Sequence, residues 1–141
     1  MRRFLRVAGG VVGLAAMASL AASPAEAVKR AEKQEPAAAI TTLEAALRQQ
    51  PGDAAIHAAL SRHWSALSDV ARRRGQKKEA GEAARNAVRE AEAAVAANPN
   101  LAAAQLALAI ALGRQTDFVG NREKMALSRK IRTAAERAAA L

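Results

Sequence analysis

The sequence predicts an all-α chain, and three observations carry that prediction. Alanine dominates the apolar residues: 51% of the chain is hydrophobic but only 2% is aromatic, and alanine is the strongest helix former. The β-branched and aromatic residues that strands favour are sparse. The larger apolar residues recur at steps of three and four, the period of a helix face. With 141 residues the chain makes one domain at most. Alanine buries little area per side chain, so such helices must approach closely along thin, methyl-lined seams.

The N-terminal segment is set apart. "MRRFLR" is a positive start, "VAGGVVGLAAMASLAA" an apolar stretch, and "SPAEA" ends in Ala25-Glu26-Ala27. Small residues at Ala25 and Ala27 form the pattern a signal peptidase reads, so cleavage is expected after Ala27. The apolar run falls short of the roughly 20 residues of a spanning helix. No cysteine follows it, so the chain is not a lipoprotein. Lack of cysteine also excludes disulfides, thiolate metal sites and a cysteine nucleophile. The expected organisation is a Sec signal peptide over 1–27, a linker over 28–35 and a helical domain over 36–141, periplasmic or secreted. The chain carries +9; residues 1–27 hold three arginines and one glutamate, so residues 28–141 keep +7. That sign suits acidic proteins or an anionic membrane surface, and export removes nucleic acid from the partners.

Pro36 opens the first helix of the domain, since proline is tolerated in the first turn. Ile40, Leu43 and Leu47 follow at helical spacing up to "RQQPGD". Asp53 is the expected N-cap of a second helix over about 54–74, with Ile56, Leu60, Trp64, Leu67 and Val70 or Ala71 in one stripe. Gly75 falls where a C-terminal cap belongs. A third helix, about 77–97, turns Ala80, Ala84, Ala87, Val88, Ala91 and Val95 inward and stops at "NPN". A fourth, about 101–114, uses Leu101, Leu108 and Leu112. The last runs from about Glu123 through Leu127, Ile131 and Ala134. Trp64, the one tryptophan, is placed in the core.

An interval of 48 residues brings Pro51 onto Pro99, Leu60 onto Leu108 and Trp64 onto Leu112. Upstream, Ala39-Ala46-Pro51 has the spacing of Ala87-Ala94-Pro99. Each unit reads as an antiparallel helix pair that must stack on its neighbour to cover its apolar face. The "Ala-x6-Ala-x4-Pro" tails, continued into "AAIHAALSRHW" and "AAAQLALAIAL", resemble the tetratricopeptide repeat. The resemblance implies helix pairs stacked as a short right-handed solenoid. The interval of 48 exceeds the family's about 34 residues, and Leu112 replaces its aromatic residue. More narrowly, "LAIALGRQTDFVGNREKMALSRKIRTAAERAAAL" is similar to the repeat of the regulator of microtubule dynamics family and its bacterial relatives. The proline that closes that motif would fall two residues past Leu141, so a repeat cut short is expected.

Candidate sites are few. Gly113 and Gly120 in "GRQTDFVGN" lack the spacing of a phosphate loop, so the segment is expected to be a joint pinned by Phe118 and Val119. His57 and His63 stand six apart rather than at the four of a zinc helix, so no metal and no cofactor are expected. His57 and Ser61 share a face without a third residue to orient them, and an enzyme is not expected. The run Arg72, Arg73, Arg74, Lys77, Lys78 is a candidate basic patch, though cations also suit a helix C-terminus. In tetratricopeptide arrays the first helix of each pair lines a groove, which implies Arg62, Ser65, Ile110 and Arg114 as partner-binding residues here. Arg62 and Arg114 would hold a peptide carboxylate. The expected function is a non-catalytic scaffold of tetratricopeptide type in the cell envelope, binding a protein or peptide or associating with itself. The alternative is a basic helical protein adhering to anionic lipid or another envelope polyanion through residues 72–78.

Overall fold

The computed structural model describes residues 22–141. They form six α-helices, α1 (Pro24–Ala31), α2 (Pro36–Gln49), α3 (Ala54–Arg73), α4 (Lys77–Ala97), α5 (Ala102–Gln115) and α6 (Asn121–Ala140), with a 3-10 turn at Thr116–Phe118 between the last two. The domain is an all-α helical bundle, with no strand among the described residues.

Helix α1 lies where a cleavage site and a linker were expected. Ser23 Oγ accepts from the Glu26 amide, and Glu26 Oε2 accepts from the Ser23 amide, both at 3.3 Å. This reciprocal capping box, with Pro24 in the first turn, satisfies donors that a helix start leaves open. Ala27 and Ala31 are buried, and α1 packs against α2 and α3. A boundary after Ala27 would therefore split a packed helix, and the expected linker 28–35 is helical as far as Ala31. The rest of the expected signal peptide, residues 1–21, lies outside the described residues.

Helix α3 is the centre of the fold, packing against α1, α2, α4 and α5. Asp53 caps it, its Oδ1 accepting from the Ile56 amide at 2.9 Å. Its other end closes on Gly75, whose φ of 73° suits a residue without Cβ. The Gln76 amide reaches the Ala71 carbonyl at 3.0 Å and the Gly75 amide that of Arg72 at 3.1 Å. That pair of bonds turns the chain straight back into α4.

The α3–α4 seam is narrow because the sequence places small residues on both sides. Ala80, Ala84, Ala87, Ala91 and Ala94 of α4 are buried at steps of three and four. From α3, Ser61 Oγ donates to the Ala87 carbonyl and Ser68 Oγ to the Ala80 carbonyl, each at 2.8 Å. A serine hydroxyl ends two bonds from Cα, so it reaches a neighbouring backbone only when the helices lie near the short end of the usual about 8–10 Å. Residue numbers rise along α3 as they fall along α4, which makes the pair antiparallel.

Two apolar clusters lie on either side of α3. One joins α1, α2 and α3 through Ala31, Ile40, Leu43, Ile56 and Leu60. The other joins α3, α4 and α5, its buried members all alanines (Ala58, Ala87, Ala91, Ala94, Ala104, Ala107 and Ala111), with Val88, Val95, Leu101 and Leu108 packed around them. Half-buried Trp64 packs against both. Two hydrogen bonds also recur at the interval of 48: His57 Nε2 contacts the Pro51 carbonyl at 3.0 Å, and Gln105 Nε2 donates to that of Pro99 at 2.9 Å. The stretch around Gly113 is a joint. Phe118 lies over Gly81 of α4, where an added Cβ would stand 3.7 Å from the ring.

Because Trp64 is the large side chain shared by the two clusters, Trp64→Ala is expected to cost about 3 kcal/mol, the lower end for aromatic truncation. It should also broaden the urea transition as the halves uncouple. Denaturation followed by circular dichroism checks this, and an unchanged midpoint would remove Trp64 from that role.

Candidate functional site

The four residues expected to line a partner groove do not form one. Ser65 is buried, and its Oγ has no hydrogen-bond partner among the described residues. Arg114 is turned toward its own chain, with Nη1 3.8 Å from Asp69 Oδ1 and its buried Nε without a partner. Arg62 lies 3.7 Å from Glu32 of the turn after α1. Each arginine offered for a peptide carboxylate thus already faces an internal one. Ile110 is exposed, as is Leu106 one turn before it, beside the apolar face of α5 rather than within it.

The basic run is divided in the same way. Asp69 accepts from Arg72 Nη2 at 2.9 Å and also from Arg73, and Arg72 Nε lies 3.9 Å from Asp117. The hydrogen bonds from Arg72 and Arg73 hold the Asp69 carboxyl below its ordinary range, and the charge of Arg114 acts in the same direction. Arg72 and Arg73 are folded onto one carboxylate, Arg74 caps α3, and Lys77 and Lys78 begin α4. Residues 72–78 are therefore not one free basic surface.

A recess lies elsewhere, along α5 between α4 and α6. A depression of about 300 Å³ has Gln105, Leu108 and Leu112 of α5 as its floor. Glu92 of α4 forms one wall, and Arg129, Lys130, Thr133, Ala134 and Arg137 of α6 form the other. A second depression, about 280 Å³, shares Glu92, Leu112 and Lys130 and extends past Val88 and Leu127 to Val119. A third, about 270 Å³, shares Gln105 and Arg137 and ends at Leu141. Sharing these lining residues, the three read as one trough, apolar where Leu108 and Leu112 line it. Gln105, 1% exposed, is fixed in that floor by its bond to the Pro99 carbonyl.

Sequence reasoning missed this trough because it needs three helices at once. Part of its signal was visible: α6 carries Arg122, Lys124, Arg129, Lys130, Arg132 and Arg137 against Glu123 and Glu136. Among the described residues none of those six cations has a carboxylate within ion-pair distance. His57 is occupied structurally, its Nδ1 2.6 Å from Glu90 Oε2 and its Nε2 on Pro51. Among the described residues no group of three His, Cys, Asp or Glu side chains is placed to hold a metal ion.

The sequence profile of the family described as Regulator of microtubule dynamics protein 1-3 matches residues 21–141, from the capping box of α1 to the end of α6. The chain belongs to that family. As a member of a family of regulators it is not an enzyme. No curated protein and no solved structure matches it.

Family membership overturns several expectations. The matched domain takes in Ala25 and Ala27, where a signal peptidase was expected to sever it, and export to the periplasm or medium falls with that cleavage. The exported scaffold of tetratricopeptide type falls too, because the matching family is that of the regulators. Its alternative, adhesion to an envelope polyanion through residues 72–78, also fails: Arg72 and Arg73 are held by Asp69. Among the described residues no helix is long and apolar enough to cross a membrane.

His63 supplies a pH test of the α3 surface. Burial lowers its pKa from the ordinary 6.5, the charge of Arg62 lowers it further, and Glu32 partly opposes them. A depressed folded value means that the unfolded chain takes up the proton first. The contribution is full above pH 6.5 and is lost as pH falls through the folded value. Melting temperature should decline below that pH, and His63→Gln should flatten the decline. An equal slope in the variant would show that another group is responsible.

Proposed function

We propose that this chain regulates by contact, holding a segment of a partner protein in the trough between α4 and α6. The trough carries the reading: it is a preformed recess with a largely apolar floor and polar walls, the usual composition of a binding site. A regulator without catalytic chemistry acts by changing what its partner can touch. The family description names microtubule dynamics as the process its members regulate, and a partner in that process is the natural first candidate.

The fold also reads as stacked helix hairpins, with α3 and α5 as successive copies. Support comes from the recurrent bonds of His57 and Gln105 to preceding prolines. The equivalent core positions Leu60 with Leu108 and Trp64 with Leu112 point the same way. In such an arrangement α5 lies between two second helices, and the space above it is the trough. The recess then follows from the stacking, while its lining is particular to this chain.

The test fills the trough without entering the core. Thr133 is exposed on its wall, and Thr133→Trp should occlude the floor while the melting curve stays within about 1 kcal/mol of the parent. Peptides selected from a displayed random library on the parent chain should lose binding to this variant. They should keep binding to Ile110→Asp on the other exposed face. The reverse pattern would move the site to the surface of Leu106 and Ile110.

A further inference from the structure

We infer that the segment taken up by the trough is acidic, with one apolar side chain between carboxylates that meet the α6 rim. This rests on the reading of the trough as the contact site. The chain's charges are partitioned: Asp69 gathers Arg72, Arg73 and Arg114 on one side of the molecule. The cations of α6 stand without carboxylate partners among the described residues. Arg129, Lys130 and Arg137 line the trough itself.

Spacing narrows the ligand further. Arg129 and Arg137 are eight residues apart on one helix, about 12 Å along its axis. An extended peptide covers about 13 Å in four residues, and its alternate side chains share a face. A Glu-x-Leu-x-Glu segment therefore sets two carboxylates opposite the ends of the rim and lowers leucine between them toward Leu108 and Leu112. Guanidinium groups suit this because each can donate two parallel bonds to a carboxylate.

A lipid surface fits less well. The apolar floor is recessed below the cations, with Leu112 only 4% exposed, whereas a bilayer needs apolar side chains that protrude. Glu92 on the facing wall would also repel a continuous anionic sheet.

The experiment is fluorescence anisotropy with a labelled peptide containing Glu-Ser-Leu-Ser-Glu and the full chain. Replacing leucine by serine should weaken binding about tenfold or more. Arg129→Glu and Arg137→Glu should each weaken it about fivefold. Arg74→Glu, the same change in charge at the end of α3, should leave it unchanged. Equal binding of a Gln-Ser-Leu-Ser-Gln peptide that Thr133→Trp abolishes would overturn the acidic preference and leave the trough as the site. Binding of the acidic peptide that Thr133→Trp does not alter would overturn both. Uptake of phosphatidylserine vesicles without peptide binding would overturn the inference in favour of lipid.

Discussion

The α3–α4 seam is the constraint on which the rest of the molecule depends. Two buried serine hydroxyls reach across it to backbone carbonyls, and they can do so only because alanines let the helices close. A larger residue at Ala80 or Ala87 would open the seam and leave those hydroxyls buried and unpaired, a more expensive state than their absence. Closing the seam aligns Ala58 with Ala87, Ala91 and Ala94 as one surface, and α5 packs on it. The second cluster therefore exists only once the seam has formed. Helix α6, with only Leu127 and Ala134 buried, comes after both in this hierarchy. The wall and floor of the trough are positioned by the seam. Its basic rim rests on them.

The distribution of charge follows the same geometry. A strongly basic chain could spread repulsion over its whole surface, but here one carboxylate at the end of α3 gathers three arginines. Those arginines lie where α3, the end of α5 and the 3-10 turn come together, so their pairing ties three elements. Among the described residues the α6 cations pair with no carboxylate. They lie along a helix that borders a recess, where the cost of leaving them unpaired is small in water and a ligand with carboxylates would gain from meeting them. Charges equal in the sequence thus divide into a joint and a rim, and what decides is whether a carboxylate lies within reach in space.

Much of this fold is legible in the sequence. The third helix of the domain was expected over 77–97 and α4 spans Lys77–Ala97, because Gly75 and "NPN" are unambiguous punctuation. Asp53 was placed as a cap for the same kind of reason. Helix α1 was missed because "SPAEA" carries two patterns at once. Ala25 and Ala27 satisfy a cleavage signal, while Ser23 and Glu26 satisfy a capping box, and only the buried position of Ala27 decides between them. The candidate site was less legible. Arg72, Arg73 and Arg74 attract notice as neighbours in sequence, yet Asp69 four residues before Arg73 already answers them. The six cations of α6 are interspersed with other residues, with only Arg129 and Lys130 adjacent, so they attract less notice than the run at 72–74. Whether Arg62 and Arg114 are free for a ligand depends on Glu32 and Asp69, partners that spacing along the chain does not reveal.

The family assignment fixes what kind of protein this is, and the physical account adds how such a domain can act: a close-packed pair of helices presents a third, and a fourth, packed on that third with few buried side chains, borders a recess. The most direct measurement of that account is native-state amide hydrogen exchange on the full chain, resolved helix by helix. Amides of α3 and α4 should exchange slowest and together, at the free energy of global unfolding, while α6 exchanges through a separate and easier opening. Protection of α6 equal to that of α3 and α4, or independent opening of α3 from α4, would contradict it.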